Sequence, residues 1–107
     1  MSDAIADAEA LMKACETLAG MAYRNRDAAQ LEQLEITLAA SEYERLRRLA
    51  FALLEGHGRR SHGAWNQQRL ERLRRYRADS SVLVAAAAQW ELPDEELEDN
   101  EEDDEEE

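Results

Sequence analysis

The chain has 107 residues and a formal net charge of -12, with a single cysteine, one proline and four glycines; it is one domain at most, and Cys15 alone excludes an intrachain disulfide. Its longest apolar run, Val82 to Ala88, is seven residues, far short of the roughly 20 that an α-helix needs to span a bilayer. With no secretory-type leader, a cytoplasmic location is the expectation.

Scarce Gly and Pro beside abundant Ala, Leu, Glu and Arg favour helix, and little period-2 alternation suggests a sheet. The expected fold is all-α: a small bundle over residues 1–91, with helices 1–56 for hairpin and oligomer contacts, a Gly-rich loop 57–63, basic and apolar helices 64–91, and a disordered acidic tail 92–107.

From Asp3 to about Arg24, Ile5, Ala8, Met12, Cys15, Ala19 and Ala22 recur at alternating spacings of 3 and 4, which is heptad packing with small residues that let a neighbour approach closely. Asp27 with Gln30 resembles a capping box for a second helix, Ala28 to about Ala39, bearing Leu31, Leu34 and Leu38 on one side. A short link between the two predicts an antiparallel hairpin, and the seam Ile5, Ala8, Met12, Cys15, Ala19, Leu31, Leu34 and Leu38 is expected to serve a homo-oligomer. Ser41 with Glu44 predicts a third helix running to Glu55; one bent helix from Ala28 to Glu55 is the alternative.

"GHGRRSHG", Gly56 to Gly63, holds three of the four glycines and reads as a loop. Its glycines and the following helix start suit a phosphate, although neither a dinucleotide fingerprint nor a P-loop is present. His57 and His62 lack companions in metal-ligating register, so no metal or cofactor is expected; nearby arginines would lower the pKa of either. Beyond the loop, a helix from about Ala64 to Ala78 has few apolar positions, Trp65, Leu70, Leu73 and Tyr76, so it should lie on the surface with most of its arginines in water. Trp65, Arg69, Arg72 and Tyr76 share a face that suits base stacking, but aromatics at helical spacing beside Leu70 and Leu73 more often belong to a core. Asp79, Ser80 and Ser81 precede a last helix, Val82 to about Glu91, apolar nearly all round and expected to be buried in the bundle or at a subunit contact; "VLV" as a short strand is the alternative. Pro93 stops it.

Charge divides the chain into three zones. Met1 to Glu44 carries 3 basic and 9 acidic residues, Arg45 to Glu91 carries 10 and 4, and Leu92 to Glu107 carries 12 acids and no base. Arg59, Arg60, Arg69, Arg72, Arg74, Arg75 and Arg77 form a dense positive block, and arginine pairs with phosphate oxygens through a planar fork. They are the candidate nucleic-acid contacts; the plainer reading is that they solubilise an exposed helix or pair with the acidic first half of a neighbouring subunit. Asp94, Glu95, Glu96, Glu98, Asp99, Glu101 and Glu102 are the candidate partner contacts of the tail, whose random-coil reach of roughly 20 Å also lets it screen the arginines; a simple solubility role is the third use.

The catalytic constellations are missing: Cys15 sits in an apolar seam and the carboxylates scatter over helix faces, so an enzyme is not expected. The leading functional expectation is an oligomeric helical adaptor that binds nucleic acid through its phosphates with little sequence specificity. By analogy of requirements, not by any motif, a phage-like DNA-packaging motor is a fitting tail partner. The rival expectation is an acidic inhibitor or regulator that sequesters a basic protein through its tail, leaving the arginines structural.

Overall fold

The structure, a computed structural model, describes residues 2–25, 29–60, 63–93 and 96, with side chains from residue 6 onward. Among these residues there are five helices and no strand: α1 Ser2–Arg24, α2 Ala29–Ala39, α3 Glu44–Gly58, α4 Gln67–Arg77 and α5 Val82–Gln89. The class is all-α, as the composition implies, and "VLV" opens a helix.

The central element is α3. α1 and α2 pack on either flank of it, and α4 and α5 close over it. The early part of α1 meets the start of α3, where Asp7 lies 3.9 Å from Arg45, and Ala19 meets Gly56 near the end, so the two helices run side by side in the same direction. The expected α1–α2 hairpin is therefore corrected: α1 takes α3 as its neighbour, and the antiparallel hairpin is formed by α2 and α3 across the link 40–43.

The glycines explain why. Gly56 and Gly58 lie inside α3, not in a loop, and the loop expected from residue 57 begins only after Gly58. A Cβ at Gly56 would collide with the carbonyl oxygen of Ala19 and stand 2.9 Å from its Cα; one at Gly58 would collide with the Trp65 ring. Both positions lack a side chain because another element presses onto the helix backbone there. Gly63, with φ 85, is the glycine whose backbone does need left-handed freedom.

Helices α2 and α3 are separate, which removes the bent-helix alternative. The expected capping box is also altered: Ser41 Oγ accepts from the Tyr43 N–H at 3.1 Å, and Tyr43 occupies the N-cap of α3 without a side-chain bond. Asn66 caps α4 by accepting from the Arg69 N–H at 2.9 Å, and Asp79 Oδ1 accepts from the Ser81 N–H at 2.8 Å ahead of α5. The Asp27–Gln30 box lies outside the described residues, as Asp27 does.

The core joins Ala50, Phe51 and Leu54 of α3 to Trp65, to Leu70, Leu73 and Tyr76 of α4, and to Val84 and Ala88 of α5. Phe51 and Tyr76 meet edge to face with centroids 5.5 Å apart. On α1 the buried line is Cys15 and Ala22, flanked by half-buried Leu11, Leu18 and Ala19, whereas Ala8 and Met12 are exposed. Of the anticipated seam, Cys15 and Ala19 thus face α3 of the same chain, Leu31 and Leu38 are half-buried, Leu34 is exposed, and the side chain of Ile5 lies outside the described residues.

Candidate functional site: the arginine helix and its carboxylates

Helix α4 carries five of the seven candidate arginines, and its pattern decides where they point. Leu70, Leu73 and Tyr76 turn into the core, which brings Arg69 and Arg72, each one residue before a core leucine, against α2. There Glu32 and Glu35 stand at the same three-residue spacing, so the two helices are joined rung by rung. Arg69 Nη2 pairs with Glu32 Oε1, Arg72 Nε donates to Glu35 Oε2 at 3.1 Å, and the Tyr76 hydroxyl donates to the same oxygen at 2.8 Å. Arg69 also donates to the Ala64 carbonyl at 2.7 Å.

The other arginines have partners too. Arg59 grips Glu91 through two bonds of 3.0 and 3.1 Å and lies 3.2 Å from Glu55. Arg60 donates to the Asn25 carbonyl at 2.6 Å. Arg77 holds Glu96 through bonds of 2.9 and 3.0 Å and reaches the Glu91 carbonyl at 2.7 Å, while Arg74 lies 3.6 Å from Glu96 with half of its side chain exposed. Arg75 alone of the seven is exposed with no ion pair among the described residues. Outside the seven, Arg47 forms a fork with Asp79 at 2.9 and 3.1 Å, and Arg48 stacks over Phe51 at 5.5 Å.

The expectation that α4 keeps most of its arginines in water is corrected. Arg69, Arg72 and Arg77 are largely covered, because a helix with so narrow an apolar strip gains burial by laying its arginine stems against α2 and the α5 end while acids neutralise the heads. The face holding Trp65, Arg69, Arg72 and Tyr76 looks inward, and both aromatics are buried in the core.

Electrostatics follow the packing. Burial raises the proton affinity of Glu32, but the Arg69 bond and the charges of Arg69 and Arg72 outweigh it, leaving its carboxyl below the ordinary value. Glu35 is wholly buried, and there burial wins over the Tyr76 and Arg72 bonds, so its carboxyl is pushed up. The Tyr76 phenol is raised well above its ordinary value by burial and by that neighbouring carboxylate. Glu96 is held low, chiefly by the Arg77 bond. His57, expected on a flexible loop, is buried in α3; burial first, then Arg69, lowers its pKa, and neither ring nitrogen has a hydrogen-bond partner among the described residues. His62 lies outside the described residues.

Of the tail contacts, Glu96 is described; Asp94, Glu95, Glu98, Asp99, Glu101 and Glu102 are not. Just before them lies a feature that composition concealed. α5, apolar nearly all round, is expected in the bundle or at a subunit contact; within the chain only Val84 and Ala88 are buried, while Val82 is 78% exposed and Trp90, which follows the helix, 86%. With two short helices over α3, the core has room for one side of α5 only. Sequence reasoning also missed Glu32 and Glu35 as partners, although their i, i+3 spacing matches that of Arg69 and Arg72 and was the available signal.

No protein-family model matches the chain, and neither the curated proteins nor the solved structures offer a match to it.

Proposed function

We propose that this chain is a non-enzymatic helical adaptor or regulator that engages a basic protein through its acidic C-terminal segment, with the arginine helix serving the fold. The observation that carries this reading is the internal neutralisation of the arginines: Arg59, Arg69, Arg72, Arg74 and Arg77 each face a carboxylate of the same chain. A nucleic-acid phosphate would have to displace those carboxylates, which is costly where the charge is largely covered, as at Arg69, Arg72 and Arg77. The acids beyond Glu96, by contrast, include Glu98, Asp99, Glu101 and Glu102 with no base in sequence among them. Such a segment attracts a positive surface over a Debye length of about 8 Å at physiological salt and raises the encounter rate.

A second reading rests on Arg75, exposed and unpaired among the described residues, and on half-exposed Arg74. These two suit weak, sequence-independent phosphate contact, the expectation that links the chain to a DNA-packaging adaptor. One set of titrations separates the readings. Full-length protein and a form cut after Leu97, which keeps Glu96 on Arg77, are titrated over a salt series against a labelled 20-base-pair duplex and a labelled oligolysine. The proposal expects oligolysine binding that weakens with salt and with the cut, and no duplex binding by either form. Duplex binding that strengthens on cutting and falls steeply with salt would establish the nucleic-acid reading in its place.

A further inference from the structure

Successive residues of a helix turn by about 100°. Val82, Ala86, Trp90 and Leu83 therefore fall within one arc of about 100° on and just beyond α5, opposite the buried Val84 and Ala88. All four are exposed, and Leu92, two residues past Trp90, is 70% exposed as well. Single exposed apolar residues are ordinary, but a contiguous set built around a tryptophan is the composition of an interface anchor. The arc is also held firmly: the end of α5 is tied to α3 and α4 by the Arg59–Glu91 fork and by Arg77 on the Glu91 carbonyl.

We infer that this arc, Val82, Leu83, Ala86 and Trp90, docks a basic amphipathic helix of another protein. The inference rests on the proposed engagement of a basic partner and supplies its apolar anchor. Charge chooses the occupant. The arc is followed directly in sequence by Asp94, Glu95 and Glu96 and then by nine further acids up to Glu107. A second copy seated on the arc would bring two such segments together, and an anionic bilayer or a nucleic acid would meet the same repulsion. A helix with lysine or arginine beside its apolar stripe meets apolar surface and opposite charge together. Its stripe is about as wide as this arc, and α5, whose backbone is satisfied internally, has no sheet edge to extend.

The test uses the full chain and two labelled 18-residue peptides, one with leucines on one helical face and lysines on the other, and one with serines replacing the leucines. The leucine–lysine peptide should bind the protein, shift Trp90 emission to the blue over the constant signal of buried Trp65, and bind about tenfold more weakly to Trp90→Ala and to Val82→Ser/Leu83→Ser, both of which should keep the wild-type circular dichroism. The serine–lysine peptide should bind more weakly and be indifferent to these variants. Equal affinity of the leucine–lysine peptide for wild type and both variants, with loss only when the acids of residues 98–107 become amides, would overturn the inference and leave the acidic-segment reading standing. Loss on Trp90→Ala with no effect of those amides would retain the arc and sink that reading. Failure of both peptides to bind would sink both. A blue shift produced as strongly by phosphatidylcholine vesicles, or a Trp90-dependent dimer in sedimentation, would overturn the inference in favour of lipid or of a second copy.

Discussion

The Tyr76 hydroxyl and the Glu35 carboxylate meet at 2.8 Å in the interior, joining residues 41 apart in the chain. Their bond, with Arg72 at 3.1 Å on the same oxygen, ties α4 to α2 through polar groups. Tyr76→Phe keeps the ring against Phe51 and removes only the donor. It is expected to cost about 1–3 kcal/mol, the range for a buried acceptor that loses a partner, as read by urea denaturation.

Arg72→Ala leaves Glu35 buried without its counter-charge and is expected to destabilise by about 3–5 kcal/mol. The double variant Glu35→Leu/Arg72→Met should recover most of that loss, because an apolar pair of similar volume needs no compensating charge. A double variant as unstable as Arg72→Ala would show that the pair is not the reason for the loss.

Glu35 and His57 predict opposite pH trends. The folded-state carboxyl of Glu35 is raised above 4.5 by burial, so the folded chain binds that proton more tightly; its contribution is present at acid pH and lost as pH rises through the folded value. The stability of wild type minus that of Glu35→Gln should therefore fall as pH climbs from 4.5 towards neutrality. His57 is lowered below 6.5 by burial and by Arg69, so the unfolded chain binds its proton more tightly and stability is lost as pH falls from 6.5 through the folded value. His57→Leu should remove that acid-side loss, and parallel curves for wild type and variant would contradict it.

Gly56→Ala should destabilise, although alanine is favoured over glycine within a helix by roughly 1 kcal/mol. The clash is with backbone atoms of Ala19, which no rotamer change relieves, so a net loss of about 1–3 kcal/mol is expected in thermal melts. A rise in melting temperature would mean that α1 does not rest on α3 at this point.

Cys15 is 4% exposed and its thiol is pushed up, chiefly by burial. A thiol reagent should label it slowly in native protein and fully in denaturant. Rapid native labelling would place Cys15 outside the α1–α3 contact.

The legibility of the fold varies with the range of the signal. The extents of α1 and α5 follow from local propensity and periodicity, and the sites of Leu70, Leu73 and Tyr76 from their spacing. "GHG" misleads because glycine serves both chain reversal and close approach, and sequence alone does not distinguish them. On α1, Met12 and Cys15 belong to overlapping stripes, and only the position of α3 selects the line through Cys15 and Ala22. The arginine block is equally ambiguous: its density is visible, but whether a guanidinium meets water, phosphate or Glu35 depends on what stands opposite.

By itself the sequence determined the all-helical class, because propensity and the 3.6-residue period act within a few neighbours, and it determined the three charge zones, because formal charge is additive. The tertiary structure alone decided that α3 is the hub, that Gly56 and Gly58 are points of close approach, that arginines meet acids 32 to 37 residues away, and that one side of α5 stays uncovered. Those outcomes depend on how rigid helices dock, where a rotation of one helix exchanges a buried residue for an exposed one, and no local pattern encodes that angle.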